Sequence, residues 1–419
     1  MRRNYFVFAL FFIGMSACTV NIGVFDKKSP YYFDGSISRE VLENYLDRSV
    51  TAGNFLVPGD AGQYKFPYRW DDVRMLKNIG AKFIGRALYR WGNESDFGDP
   101  IFFTYAKDYI EQLHAFDPEI IFQGCIFESI SNDVNNLAIP AWVFEAFNLP
   151  VEKRNFNASE MTKREGSEAG RSTGGRCPLV HNMETKLWFY YVAKSFIDIG
   201  IEAFHLGQVE LIGRDDPDKT HYKEILDMIR SYAKKHARRH YVLLDGHTPK
   251  HGFIKDGVSL LDFNSFPLRI KEVPDTPTEG YLEVGNSDGL FGKSLGAISP
   301  SGWVAESMPY LVEFDNFGVR RDPPLGVSNN DIYCWGYDDI TWFAVQTEEY
   351  RNKWLWYAFD WIRKTDPNGH LQMCVIRMIY GPTANATLGS YFANTRSLAC
   401  PIGFSQEETI KEIWNTRLK

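Results

Sequence analysis

Eight short apolar runs recur along the chain, most of them separated by stretches with helical spacing. They are Asn54–Val57, Lys82–Leu88, Glu119–Glu128, Ile201–Gly213, His240–Asp245, Leu260–Asn264, Tyr310–Asp315 and Leu371–Arg377. Strands that alternate with helices form parallel βα units. A count of eight favours a closed barrel over an open sheet. The expected fold is therefore α/β, a (β/α)8 TIM-like barrel with long inserted loops. Helical spacing is read at Ser38–Val50, with Ser38 as N-cap, and at Asp71–Ile79, which Gly80 ends. It recurs at Tyr105–Ala115, Glu184–Gly200, about Asp218–Arg239, Ile340–Arg363 and Gln406–Thr416. No good helix is visible around the fifth and sixth runs.

The stretches 129–183 and 267–309 break this rhythm, with several Gly and Pro residues and little periodicity. Long loops in compact domains carry function or are disordered. These two follow the third and sixth strands, so they are expected over the C-terminal face of the barrel. There Trp142, Phe144 and Phe147 either line a cleft or pack on the rim.

The 419 residues carry a formal net charge of -7, which disfavours a nucleic-acid partner. At 44% apolar and 24% charged, the composition is that of a globular protein. Aromatic residues reach 15%, as stacking platforms for sugars require and as a large barrel core also supplies. At the N-terminus, Arg2 and Arg3 precede the apolar run Tyr5–Met15, too short for a bilayer and suited to a signal sequence. Met15-Ser16-Ala17-Cys18 resembles a bacterial lipobox. That resemblance implies a signal peptide over 1–17, a lipidated Cys18, a polar tether over 18–30 and one domain over 31–419. The chain would then be lipid-anchored to a membrane of the bacterial cell envelope. The other five cysteines are widely spaced, with no zinc-type pattern. Of these, Cys177 has Cys334 and Cys400 as possible partners.

Barrel enzymes place reacting groups at the C-terminal strand ends. Polar residues expected there are Arg86, Glu128, His205, Gln208, Glu210, Asp245, His247, Asp262, Asn264, Glu313, Asp315 and Arg377. Carboxylates dominate, and a pair of them suits glycoside hydrolysis. The fourth strand ending in Glu210 and the seventh carrying Glu313 resemble the arrangement of clan-A retaining glycoside hydrolases. The resemblance implies Glu210 as acid/base and Glu313 as nucleophile, acting on a carbohydrate without a metal or other cofactor. In place of that family's Asn-Glu, this chain has Val209-Glu210, with Gln208 one place back. The chain also resembles glycosidase-like bacterial lipoproteins. Apolar neighbours Val209 and Leu211 are expected to keep Glu210 protonated, and Arg86 and Arg377 to hold the other carboxylates ionised. Substrate contacts are expected from Arg86, Glu128, His205, Gln208, Asp245, His247, Asn264, Trp303, Asp315 and Arg377.

Two other readings use the same residues. His247 and His251 form an HxxxH spacing that, with Asp245 and His205, suits a metal-dependent hydrolase, although Pro249 interrupts any helix there. A non-catalytic glycan-binding lipoprotein would keep the aromatic loops and lose a carboxylate. The lipobox reading predicts a mature chain that starts at a diacylated Cys18. Mass spectrometry of the mature N-terminus checks this, and an unmodified terminus or an intact Met1 would reject it.

Overall fold

In the computed structural model, residues 26–58, 68–88, 92–164, 167–168, 177–248, 250–276, 278–286, 289, 291–316, 334–380 and 387–416 are described. Eight strands pair in parallel in chain order: β1 (Ser49–Ala52), β2 (Phe83–Leu88), β3 (Ile121–Cys125), β4 (Ala203–Gln208), β5 (Leu243–His247), β6 (Asn264–Pro267), β7 (Tyr310–Glu313) and β8 (Gly369–Tyr380). β8 returns to β1, with Val50 opposite Met373, so the sheet closes into the expected (β/α)8 barrel. β8 continues past the barrel and carries an antiparallel partner, β9 (Thr387–Phe392).

Helices follow six of the eight strands: α2 (Arg69–Ile79), α3 (Pro100–Phe116), α4 (Met183–Asp198), α5 (Thr220–His236), the pair α6 (Asp339–Val345) and α7 (Glu348–Thr365), and α8 (Glu407–Thr416). A preceding helix, α1 (Arg39–Leu46), starts where Ser38 accepts a hydrogen bond from the Val41 N–H. That cap satisfies one of the free amides of the first turn. α1 packs Leu42, Tyr45 and Leu46 beneath the barrel, against Phe83, Ile121, Ala203, Leu243, Phe263 and Leu311. These last six lie at or just before the starts of their strands, so an apolar plug closes the N-terminal end.

Among the described residues, no helix follows β5 or β6. The two connections instead contribute a small four-stranded sheet, from Ile254–Lys255, Val258–Ser259, Ala297–Ile298 and Val304–Ala305. The stretch 267–309 thus runs down the barrel flank. Its hairpin 271–281 meets α7, where Trp354 donates to the Gly280 carbonyl at 3.1 Å. Its turn 299–303 reaches the plug: Ser301 accepts from the Ile37 N–H at 3.0 Å and Trp303 donates to the Ile37 carbonyl at 3.1 Å. The first insert divides similarly. Val180 stays at the rim, donating to the Ile212 carbonyl, while Ala141–Ala146 lies along α4. Trp142 stacks on Tyr191 of α4 at 5.8 Å and Phe147 meets Tyr190 edge-on. Covered on its outer side as well, α4 buries eleven of its sixteen residues. Of the two placements open to these aromatics, packing is the one adopted, and the expected place of 267–309 over the C-terminal face is corrected for all but its first residues, where Leu268 donates to the Glu313 carbonyl.

Three strands differ most from the sequence reading. The first is Ser49–Ala52, not Asn54–Val57, because α1 stops at Leu46. Ser49 and Thr51 face inward, so the true strand is half polar, whereas Phe55, Leu56 and Val57 form a buried turn. The fourth ends at Gln208, and Val209–Ile212 is one helical turn. The sixth begins at Asn264, where the expected run stopped. The five described cysteines are buried and none is joined in a disulfide, so the pairing open to Cys177 with Cys334 or Cys400 is not made. No described helix is long and apolar enough to cross a membrane, and Cys18 and the segment before it lie outside the described residues.

One buried acid in α2 sets a pH test. Asp72 is fully buried, and burial lifts its carboxyl from the ordinary value to about 7. The native state then keeps a proton that the unfolded chain releases near its ordinary carboxyl pKa of about 3.9. Stability from this residue falls as pH rises from about 4 to about 7 and stays low above that. Asp72→Asn is expected to raise the melting temperature at pH 8 and to have little effect at pH 4. Equal shifts at both pH values would contradict this.

Candidate active site

Side chains two apart along a strand share a face, and in this barrel the inward parity carries polar groups above the plug. β1 supplies Thr51, β3 Gln123, β4 His205, β5 Asp245 and His247, β6 Ser265, β7 Glu313 and β8 Gln372. Barrel interiors are ordinarily packed with branched apolar residues. Here the layer is a hydrogen-bonded network. Thr51 donates to the Gln372 carbonyl oxygen at 2.9 Å. Gln123 accepts from the Arg86 N–H at 2.9 Å and donates to Asp245 at 2.6 Å. The other oxygen of Asp245 accepts from Ser265 at 2.6 Å and meets Nδ1 of His205 at 2.7 Å.

Arg86 reaches this layer through a bulge. Phe83 and Gly85 hold the inward parity, so Arg86 would point outward on a regular strand. Between Ile84 and Leu88 the register against β3 shifts, and Arg86 adopts a positive φ of 55°. Bulges redirect side chains in this way beside active sites. Arg86 grips both oxygens of Glu313, with Nε at 2.8 Å from Oε2 and a close Nη2–Oε1 contact. Nη2 also lies 3.3 Å from Nε2 of His205. His247 Nε2 sits 2.8 Å from Oε1 of Glu313.

The rings of His205 and His247 meet edge-on at 5.1 Å, and a second bulge lies between His205 and Gln208. Gly207 has φ 57° there, and a Cβ on it would meet Oε2 of Glu128 at 2.1 Å. That oxygen accepts from the Gln208 N–H at 3.2 Å, so Glu128 fastens the end of β4.

Charge follows geometry. Burial by itself would raise the Glu313 carboxyl, but Arg86 and the His247 hydrogen bond hold it well below the ordinary carboxylate range. Burial and then Arg86 push His205 down, against the pull of Asp245. His205 is then neutral, with its proton on Nδ1 facing Asp245 and Nε2 accepting from Arg86. This tautomer is assigned from its partners. Burial opposes a proton on His247, yet the Glu313 hydrogen bond outweighs it and raises the ring above its ordinary value. Beside this cluster, Asp315 pairs with Arg269 at 2.8 Å, and Asp339 accepts from the backbone N–H groups of Arg269, Ile270 and Asp315. Those bonds tie the ends of β6 and β7 to α6.

Of the residues expected at the site, Arg86, His205, Asp245, His247 and Glu313 are brought together. Glu128, Gln208 and Asp315 lie at the same end as rim and support residues. Arg377 donates to Asn316 at 2.8 Å, and the pairing expected of it with Glu313 falls to Arg86. Asn264 is the first residue of β6 and donates to Ser294 at 2.8 Å, away from the cluster. Trp303 packs on the plug at the opposite end, which removes it from the expected contacts. Glu210 sits in the helical turn past β4, about one-fifth exposed, 3.0 Å from Nζ of Lys250. The aromatic loop Tyr89-Arg90-Trp91 lies outside the described residues. The sequence reading missed Gln123, Ser265 and Gln372. Gln123 and Gln372 are polar residues inside strands, a signal that a search of strand ends alone passes over, and Ser265 lies one place past the expected sixth run.

No protein-family model and no curated protein matches the chain. Its fold is similar to that of solved glycoside hydrolases at low identity. A debranching enzyme from Nostoc punctiforme is 12% identical, covering 92% of this chain and 81% of that one, with a TM-score of 0.43. A cyclic alpha-maltosyl-(1→6)-maltose hydrolase from Arthrobacter globiformis is 10% identical, covering 89% and 84%, at 0.46. A beta-glucuronidase from Ruminococcus gnavus is 9% identical, covering 88% of this chain and 50% of that one, at 0.42.

The Arg86–Glu313 pair makes the second test. Arg86→Met leaves a buried carboxylate without its cation, which costs roughly 3–5 kcal/mol of stability at neutral pH. A carboxyl with a depressed native pKa contributes stability above its unfolded pKa and loses it as pH falls. The destabilisation seen in urea melts should therefore be largest at pH 7–8 and shrink toward pH 4. A pH-independent loss would contradict the charge assignment.

Proposed function

We propose that this chain hydrolyses O-glycosidic bonds in an oligo- or polysaccharide, with Glu313 as the ionised carboxylate at the reacting carbon. The observation that carries this reading is the bidentate Arg86 clamp on Glu313 at the C-terminal barrel face, completed by His247. A carboxylate kept ionised and oriented in a buried site is what attack on, or stabilisation of, an anomeric centre requires. Glu210, past the end of β4, is the proposed proton donor to the leaving oxygen and afterwards the base for water. Its place on a different strand end, with partial exposure, suits a group that exchanges protons with solvent. His205 and Asp245 orient the floor of the site and bind sugar hydroxyls. On the strength of Met15–Cys18, we place the enzyme on a membrane of the cell envelope, held by the lipidated Cys18.

A metal-dependent hydrolase is the second reading. His205, His247 and Glu313 present ligand atoms within 4.8 Å of one another, and Asp245 backs His205 as an outer-sphere partner does. The guanidinium of Arg86, however, lies against two of those three donors. It already fills the place of the cation, which favours the metal-free reading. His251, the other half of the HxxxH spacing, is not one of these donors.

The test begins with a screen of the mature protein against plant, algal and host glycans. On a substrate so found, Glu313→Gln and Glu210→Gln should each lower turnover by about 10²–10⁴ while the fold persists. Azide should restore turnover to Glu313→Ala by attacking the anomeric carbon. Near-normal turnover in Glu313→Gln removes Glu313 from the chemistry. Near-normal turnover in Glu210→Gln, with loss in His247→Gln, moves the proton donor to His247.

A further inference from the structure

α2 begins at the C-terminal end of the barrel, since it follows β1, and its second residue is Trp70. The other large apolar residues of this helix, Met75, Leu76 and Ile79, are buried, whereas Trp70 is 68% exposed. Beside it opens a cavity of about 310 Å³ lined by Tyr68, Trp70, Asp71, Arg74 and Ala399. That volume lies at the small end of the range for ligand sites. The far wall comes from the turn after β9, where Leu398 is fully exposed next to Ala399.

The polar side of the cavity is rigid. Arg74 is held by Asp71 at 2.6 and 3.2 Å and by Glu407 at 2.6 and 2.8 Å. Four of its five N–H groups are thereby committed along the edge of the guanidinium, which leaves one Nη1–H and the flat face. Asp71 is fixed further by Asn394 at 2.8 Å on Oδ2, and its Oδ1, bonded among the described residues only to Nε of Arg74, retains a lone pair able to accept from a hydroxyl. Tyr68 is braced edge-on against Phe392. The lining therefore joins an exposed indole face, a flat cation and a fixed acceptor, and its one carboxylate balances its one guanidinium. A lining without surplus charge favours a neutral ligand over an ionic one. A pyranose matches the rest, with an apolar C–H face for the indole and a rim of hydroxyls for the acceptor.

We propose that this cavity is an outlying glycan subsite, in which Trp70 stacks on a neutral sugar ring of a chain whose cleaved bond lies at Glu313. The inference rests on the hydrolase reading above and adds a substrate class, a neutral oligosaccharide long enough to extend from the barrel centre to its rim.

The test uses the mature protein carrying Glu313→Gln, so that ligand persists. Neutral hexasaccharides of the cello, malto, laminari and manno series, their disaccharides, and uronic acid hexasaccharides are titrated by calorimetry. One neutral hexasaccharide series should bind, and Trp70→Ala should weaken it about tenfold or more, as loss of a central aromatic contact does. The preference for hexasaccharide over disaccharide should shrink in the same variant, with Trp70→Phe between the two. Because Trp70 is exposed, its replacement leaves the core intact. A neutral hexasaccharide bound equally well by Trp70→Ala overturns the subsite alone. Trp70-dependent binding of the uronic acid series overturns the neutral class. Binding of no glycan overturns the subsite together with the hydrolase reading.

Discussion

A carboxylate at the centre of a barrel is costly to desolvate, and the interior of this protein is arranged around meeting that cost at Glu313. Removing a charge from water takes several kcal/mol even after relaxation, and only well-formed partners return it. Arg86 supplies two of them and His247 a third. Arg86 can do so only because β2 is bulged, and its backbone N–H is then fixed by Gln123. Gln123 also donates to Asp245, which in turn sets the ring of His205. Six strands thus share one chain of donors and acceptors. A network of this kind rigidifies when every member is satisfied and fails as a unit when one is not.

The network also explains how much was legible in the sequence. The strand count and the closed barrel followed from the alternation of apolar runs with helical spacing, because burial of flanking helices imposes that rhythm. The absence of helices after β5 and β6 was visible for the same reason. Boundaries failed where the barrel interior is polar. Ser49–Ala52 alternates polar with apolar residues and was absorbed into the preceding helix. Glu313, Arg86, His205, Asp245 and His247 were readable as charged or imidazole groups near strand ends. The pairing of Arg86 rather than Arg377 with Glu313 was not, because a bulge reverses parity and leaves no compositional mark. Trp303 was misplaced for a related reason: without a helix to fix direction, its connection runs the full length of the barrel.

Environment sorts the buried acids into different roles. Glu313 and Asp315 are held ionised by guanidinium groups, whereas burial raises Asp338 to about 8 and Asp339 to about 6. The last two stand at the start of α6, where Asp338 caps the helix through the Thr341 N–H at 2.7 Å. The division is physical: Arg86 and Arg269 outweigh burial at Glu313 and Asp315, whereas at Asp338 and Asp339 burial outweighs the hydrogen bonds from backbone amides, which by themselves favour the charged form. Chemistry is thereby concentrated on one carboxylate while its neighbours fasten strand ends to helices.

The turn that carries Ser301 and Trp303 has a bearing on how the chain is made. It seats Ile37 from 264 residues away, with Ser301 accepting the Ile37 N–H. The plug is made before any of the strands that seat it, and residues 299–303 follow the sixth strand. Until residue 303 is available, the apolar side chains of α1 have no complete cover at the base of the barrel. Contacts so distant in sequence form slowly, since the intervening loop must close first. The helix made before any barrel strand therefore completes its cover only when the seventh strand has been made.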